Sequence, residues 1–387
     1  MKAIKTSLIV MFLLAGTLCF SQVKVYPVKG TLTLPEHDGL FYSLPKTHLK
    51  IDVVMKKTIK KSGPLSAYAE SYLGLEDAQL YDETIFEIEK VWVSSYVQPD
   101  PEQMFYVSVD KRSKEDKSLL LSLSKSGLIL GVNKQVIQPQ SYRDNVNVAM
   151  KHQATEDAFS YYADNNFYQK IDTVVRKISI DTVNIQQYQY NTTWLVKDPE
   201  QKAKEAVANL EKIREQRFLL LTGYQEVDYG ESMAYMDGQL KKMEAELISL
   251  FTGIVTTETV HKSFYFTPSV STRNRNAAVF KFSQSEGAFD LTDSRGEDVY
   301  IQFDVQNATA NVDRFLISPP SEQEKPIDGF YYRIPEFADV EIRFGDERLF
   351  KSNFVINQFG KVVQSPSLKS EIEFDPKTGQ IKNIHWR

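Results

Sequence analysis

Cysteine is nearly missing from this chain. Cys19 is the single one in 387 residues, and it lies in a stretch that the sequence marks for removal. Lys2 and Lys5 precede an apolar run from Leu8 to Leu14, and small side chains, Cys19 and Ser21, stand three and one positions before Gln22. That pattern is a secretory signal peptide over residues 1–21, with Gln22 as the first residue after cleavage. Its apolar core is shorter than the roughly 20 residues a membrane span requires, so no transmembrane segment is expected after cleavage. Leu18, rather than a small residue, precedes Cys19, which argues against a lipoprotein signal. The mature chain then has no disulfide, no thiolate metal site and no cysteine nucleophile. It has to be held together by core, and about 365 residues suffice for two domains of ordinary size.

Other signatures are missing too. His37, His48, His152, His261 and His385 are scattered, with no pair at helical spacing, so no metal site is expected. No Gly-x-Gly-x-x-Gly follows a strand-like run and no phosphate loop ends in Lys-Ser or Lys-Thr, so no nucleotide cofactor is expected. The Gly-x-Ser-x-Gly elbow of hydrolases is also absent. A net charge of −5, which the loss of Lys2 and Lys5 makes −7, argues against nucleic acid as a partner. No residue is assigned a catalytic, cofactor-binding or metal-binding role.

What is present is strand pattern interrupted by one helical segment. Leu49, Ile51 and Val53 alternate with polar residues, and Ile85 to Ile88 and Val91 to Val93 follow less regularly. Gly63-Pro64 opens a short helix, Leu65 to Leu73, closed by Gly74. Ser118 to Leu123 and Leu128 to Gly131 form a hairpin around Gly127, and Pro139 to Asn165 reads as a long surface loop. Beyond residue 253 the strand candidates are Phe264 and Phe266, Val279 to Phe282, Val299 to Phe303, Val312 to Ile317, Val340 to Phe344 and Phe354 to Ile356. Pro319-Pro320 through Pro326 reads as an extended linker.

The helical segment is bounded by capping chemistry. Asp198-Pro199-Glu200-Gln201 supplies an N-cap carboxylate, a proline at the first helical position and the glutamine of a capping box. Ala206, Leu210 and Ile213 then share a face, Arg214 and Arg217 approach the negative end of the dipole, and Gly223 stops the helix. A second box at Asp228 to Glu231 and a second stop at Gly253 bound a partner helix. In it Met233, Met236, Leu240, Met243, Leu247 and Leu250 recur at alternating gaps of three and four. Gly238 sits inside and weakens that helix by about 1 kcal/mol relative to Ala. The short connection makes the helices antiparallel, each roughly 30 Å long. The fold class is mainly β with an inserted antiparallel helical hairpin (α+β). Residues 22–197 and 254–387 form two β-rich domains, braced by the hairpin at 198–253.

Two internal echoes stand out. Asp38-Gly39-Leu40-Phe41-Tyr42-Ser43-Leu44-Pro45 is matched by Asp328-Gly329-Phe330-Tyr331-Tyr332-Arg333-Ile334-Pro335, and Ser124 to Gly127 by Ser283 to Gly287. Their separations differ, so shared turn and strand-entry chemistry explains them better than tandem duplication. Tyr42 and Tyr332 read as buried rather than ligand-binding. A glycosidase needs two carboxylates, but among Glu83, Glu87, Glu89, Asp290, Asp293 and Glu297 nothing singles out a pair. The cluster Asp290, Asp293 and Glu297 lacks the oxygen spacing of a calcium loop. Asp172-Thr173-Val174 and Asp181-Thr182-Val183 resemble O-glycosylation acceptors of Bacteroidota, which makes Thr173 and Thr182 candidate modification sites. The methionine-rich seam suits an adaptable partner surface, though packing inside the chain is the expected use.

Taken with Gly63-Pro64 to Leu75, Ala203 to Gly223, Leu250 to Gly253, Arg333-Ile334-Pro335 and Gln358-Phe359-Gly360, the segment Tyr42 to Pro45 carries a resemblance. Over nearly all of the mature chain it resembles domain of unknown function 4831, a family of secreted Bacteroidota proteins. The resemblance implies an exported or envelope location and lends no activity or catalytic residue. The sequence therefore points to an exported, non-catalytic protein of the periplasm or outer membrane that binds or scaffolds an envelope protein or glycan. The alternatives are a β-sandwich glycan hydrolase and an assembly subunit that uses the hairpin as its surface.

Overall fold

The computed structural model describes residues 23–28, 39–109, 120–136, 159, 162, 166–180, 183–224, 230, 232–312, 329–364, 370–375 and 380–386. In chain order the first strands are β1 (Val23–Pro27), β2 (Gly39–Lys61), β3 (Glu83–Val109), β4 (Leu121–Leu123), β5 (Ile129–Val132), β6 (Phe167–Ile180) and β7 (Val183–Val196). A short helix α1 (Ala69–Leu73) lies between β2 and β3, and the long helices α2 (Pro199–Thr222) and α3 (Ser232–Thr252) follow β7. The chain then continues through β8 (Ile254–Phe266), β9 (Asn276–Ser283), β10 (Gly287–Phe289), β11 (Glu297–Val305), β12 (Tyr331–Phe344), β13 (Glu347–Gln364), β14 (Ser370–Phe374) and β15 (Ile381–Trp386). The protein is mainly β with an inserted helical hairpin, as the sequence pattern predicts.

Four antiparallel sheets result, in the orders β1-β3-β2-β8, β10-β9-β11-β12-β13, β15-β14-β5-β4 and β6-β7. The first two face each other as a sandwich. Leu49, Ile51, Val53 and Met55 of β2, with Phe264 of β8, pack on Phe280, Val299, Ile301, Phe303, Val340 and Ile342 of the opposite sheet. The alternation read in the sequence is the cause, since every second side chain of a strand reaches the same face. The rings of Phe264 and Phe280 stack with centroids 4.5 Å apart across this core. A second core lies further along the same strands, where Tyr42, Leu44, Phe105 and Val107 meet Ile129, Val132, Phe330, Ile372 and Phe374. Strands β2 and β3 are long enough to serve both.

Between the cores the strands bend, and the bend is built twice. From the pair Ser43–Met104 to the pair Pro45–Pro99, β3 sets Asp100 to Gln103 against Leu44 alone. From Ile334–Lys361 to Glu336–Ile356, β13 sets Asn357 to Gly360 against Pro335 alone. Proline belongs at such bulges because it has no N–H to give a ladder. The two echoed segments are thus one structural device used twice, and they touch: the Tyr42 hydroxyl accepts from Tyr331 N at 2.9 Å and donates to Tyr331 O at 3.2 Å. The Arg333 guanidinium, only 7% exposed, donates to Pro45 O at 2.8 Å and to Asp100 Oδ2 at 3.1 Å. Gln358 clasps Thr47 through both the backbone N–H and the backbone carbonyl, at 3.0 and 2.6 Å. At Gly360 a Cβ would lie 1.9 Å from Ile334 O, so only glycine fits there. The second echo has the same local origin: in each turn the second serine's N–H donates to the first serine's Oγ at 3.3 Å.

The helical hairpin begins as its caps predict. Asp198 accepts from Gln201 N at 2.7 Å, and Gln201 Oε1 accepts from Asp198 N at 3.2 Å. Gly223 closes α2 in the left-handed region. Arg214 and Arg217 do not reach the last turn; they cross to α3, where Arg214 pairs with Glu244 at 2.8 Å and Arg217 with Asp237 at 2.8 Å. The base of the hairpin is buried: Ala203, Ala206, Leu210, Leu247, Leu250 and Phe251 cluster with Leu65 and Ala69. Gly63 permits this docking, because a Cβ there would lie 2.2 Å from Leu250 O, and Leu65 N donates to that same carbonyl at 2.9 Å.

Several expectations change on contact with the structure. The strand-rich stretches at 22–197 and 254–387 share sheets, because the edge that β2 leaves open from Leu49 to Lys61 is taken by β8. Strand β5, from before the hairpin, pairs likewise with β14 from near the C-terminus. The buried base of the hairpin packs on Leu65 to Leu73, not between two β units. Residues 1–22, the loop to Asn165 apart from Phe159 and Tyr162, Val312 to Ile317 beyond Val312, the linker at 319–326 and the capping box at 228–231 apart from Gly230 lie outside the described residues.

Removing the buried partner of Arg333 leaves an uncompensated charge, so Asp100→Ala is expected to cost about 3–5 kcal/mol. Urea unfolding checks this, and a loss under about 1 kcal/mol contradicts it. Two glycines, one inside α3 and one just past its end, should move stability in opposite directions. Gly238 faces open space, whereas a Cβ on Gly253, at φ +82°, would meet Lys61 O at 2.3 Å. Gly238→Ala is expected to gain about 0.5–1 kcal/mol and Gly253→Ala to lose more than that; thermal melts of the two variants give the signs.

Candidate interaction surface

Of the carboxylates that could have carried chemistry, Glu83, Glu87 and Asp293 are engaged in ion pairs. Glu83, Glu87 and Glu89 lie on the exposed face of β3, where Glu83 pairs with Lys60 at 3.0 Å and Glu87 with Lys56 at 3.6 Å. Arg295 grips Asp293 with hydrogen bonds from its side chain and backbone and holds that carboxyl well below the usual carboxylate range. Lys134, Lys382 and Asn383 push Glu373 down to about 2. A general acid at neutral pH needs the opposite shift. Glu336 is fully buried, but it pins a loop by accepting from Ala308 N at 2.9 Å and Thr309 N at 2.8 Å.

Burial pushes the Tyr42 phenol up, and the ring is sealed in the second core. Tyr332, half-buried, is raised for the same reason. His48 stacks on Tyr96 and bonds Thr267 Oγ1 through Nδ1 at 2.8 Å; burial first, then Lys46, lowers its pKa. His261 and His385 lie in β8 and β15, and His37 and His152 are outside the described residues. Among the described residues no group of three His, Cys, Asp or Glu side chains could hold a metal ion.

Two projecting elements carry the unusual surface. The first is the two-stranded sheet β6-β7, which pairs with no other strand among the described residues. Its register sets Phe167 opposite Val196, Gln169 opposite Trp194, Ile171 opposite Thr192, Thr173 opposite Tyr190 and Val175 opposite Tyr188. Paired residues of an antiparallel ladder share a face, so all of these point one way. From Phe167 to Val175 and from Tyr188 to Val196 the face carries no charge, Lys177 being the next position along it, and it is exposed: Phe167 is 59%, Trp194 66% and Tyr190 67% exposed. The opposite face carries charges, with Lys170, Asp172 and Arg176 facing Thr193, Asn191 and Gln187 and an ion pair from Lys170 to Asp172 at 3.5 Å, alongside Tyr168, Val174 and Leu195. A two-stranded ribbon standing alone is marginal in water. One that leaves its apolar face wet is built to be covered.

The second element is the outer half of the helical hairpin, joined to β7 by only Lys197 and Asp198. The seam along α3 divides in two. Leu247 and Leu250 are buried at the base, Met233, Met236 and Leu240 are half-buried, and Met243 is 49% exposed. Phe218, Leu221, Tyr224 and Tyr235 are exposed near the tip. Gln216, Leu220, Tyr235, Met236, Gln239 and Leu240 line a shallow groove of about 400 Å³ there. Thr173 is exposed on the aromatic face of the ribbon, and Thr182 is outside the described residues.

The sequence pattern places Thr173 in strand-like surroundings without singling out its neighbours. The alternation of Tyr188, Tyr190, Thr192, Trp194 and Val196 is visible in the sequence. That nothing covers this face is not, because covering depends on which strands pair beyond the ribbon.

The split seam has a measurable consequence. Met243→Asp is expected to change stability by less than about 1 kcal/mol, as surface substitutions do, and Leu247→Asp to cost about 3 kcal/mol or more. Equal melting temperatures for the two variants would contradict the division of the hairpin into a packed base and an open tip.

No curated protein and no solved structure matches the chain. A family model does, over residues 38–166 and 168–382, which takes in both cores, the ribbon and the hairpin. The chain belongs to the family described as Domain of unknown function (DUF4831).

Proposed function

We propose that this is an exported, non-catalytic binding or scaffolding protein of the cell envelope, with the ribbon and the hairpin tip as its docking arms. The observation that carries the reading is the uncovered apolar surface on both arms, set on a body that packs two apolar cores and also exposes Tyr81, Trp92, Tyr265 and Trp386. Aromatic residues in such patches are the usual anchors of protein contacts. Export rests on the signal-peptide pattern of residues 1–21, and the envelope on the resemblance to secreted proteins. The ion pairs of Glu83, Glu87 and Asp293 support a binding role over glycan hydrolysis.

Crosslinked capture from native envelopes tests it. The mature protein is expected to retain envelope protein specifically, and Phe218→Asp with Tyr235→Asp at the hairpin tip to reduce that capture without lowering the melting temperature. Saturable turnover of an envelope polymer by the purified protein, abolished by one carboxylate substitution, would overturn the reading.

A further inference from the structure

We propose that the aromatic face of the β6-β7 ribbon is the surface through which two copies of this chain pair, on the reading above that the ribbon is a docking arm. Area is the first reason. Phe167, Ile171, Val175, Tyr188, Tyr190, Trp194 and Val196 are each 46% to 67% exposed. With large aromatic side chains presenting roughly 150–250 Å² each and the aliphatic ones less, they leave on the order of 800 Å² uncovered, about what one partner buries in a standard interface. A face of this size, on a ribbon that pairs with no other strand among the described residues, is the half of a two-layer sandwich.

Charge is the second reason. A twofold contact sets each residue i against j and j against i, so a face bearing charges risks opposing like charges. Between Phe167 and Val175, and between Tyr188 and Val196, this face bears none. The charged residues Lys170, Asp172 and Arg176 all lie on the other face and stay in water when two ribbons stack about 10 Å apart. Strand composition is the third. Tyr188, Tyr190 and Trp194 on β7 could stack on sugar rings, but Phe167, Ile171 and Val175 of β6 offer nothing to a hydroxyl, which leaves Gln169 and Thr173 as the polar side chains that β6 adds between Phe167 and Val175. The surface fits another apolar protein face, and its own copy offers one of equal width and equal pattern, uncharged from Phe167 to Val175 and from Tyr188 to Val196.

Sedimentation of the mature full-length protein over a wide concentration range reads the outcome. A dimer is expected, and Tyr190→Glu with Trp194→Glu should weaken it about a hundredfold or more, whereas Lys170→Glu on the opposite face should leave it intact. Because the chain past the signal has no cysteine, single cysteines give a second readout that does not depend on weakening the ribbon. With a short bis-thiol crosslinker, Thr173→Cys or Thr192→Cys should yield covalent dimers and Asn191→Cys should not. A wild-type protein that stays monomeric overturns the pairing, as does a dimer that survives both glutamates, and so does a monomer that binds insoluble glycan through Trp194. If the monomer still captures envelope protein, and the two glutamates abolish that capture, the docking role stands with a different partner. If capture is unaffected, the ribbon has no docking role either.

Discussion

The buried polar joint between the two cores is the constraint on which the rest of the structure depends. Arg333 reaches across from β12 to the carbonyl of Pro45 and the carboxylate of Asp100, while Thr47 of β2 is clasped by Gln358 of β13. A guanidinium so far from water costs free energy unless its partners are in place. Burial accordingly pulls the Arg333 pKa down while Asp100 opposes the fall. Asp100 and Gln358 each sit on a bulge, and each bulge faces a Leu-Pro or Ile-Pro bend. The joint therefore specifies where β2, β3, β12 and β13 turn from one core into the other, and the two hydrophobic clusters inherit their positions from it.

From that body the arms depart for topological reasons. Strand β2 pairs with β3 on one side and β8 on the other over Leu49 to Lys61, so β2 itself offers no open edge there to β6 or β7. The ribbon pairs with itself instead. Its second strand runs through Lys197 and Asp198 directly into α2, so ribbon and hairpin share a root. The hairpin is secured at that root by Leu65, Ala69, Leu250 and Phe251, and along its length by Arg217 bridging Asp237 and Glu244. Ion pairs of this exposed kind add little stability, but they set the register of α2 against α3 while the apolar side chains of the tip stay exposed. Packing that is firm at the root and open at the tip is what a docking arm requires, and a brace between two bodies would be covered at both ends.

Much of this was legible beforehand, for local reasons. The N-cap at Asp198, the stops at Gly74, Gly223 and Gly253, and the turn at Gly127 depend on a few neighbouring residues, and each is found where the pattern puts it. The inward alternation from Leu49 to Val53 is local in the same sense. The kinship of Tyr42-Ser43-Leu44-Pro45 with Tyr331 to Pro335 could be read too, but not that the two segments bond to each other across 289 residues. Nor could it be read that Arg214 and Arg217 turn to the neighbouring helix instead of serving the end of their own. The aromatic face of the ribbon was written in plain alternation from Tyr188 to Val196, yet a strand with one apolar face looks the same in a sequence whether that face is packed or bare.

The sequence alone thus determined the elements, their caps and turns, the mainly β class with a helical hairpin, and the lack of thiol and disulfide chemistry past residue 19, because these follow from residue type and near neighbours. Tertiary structure decided the rest: that strands from either side of the hairpin share sheets, that the hairpin roots on Leu65 to Leu73, and that the β6-β7 face stays uncovered. Those outcomes depend on which sheet edges remain open once the buried Arg333 joint has aligned the long strands, and edge occupancy is a property of the whole chain.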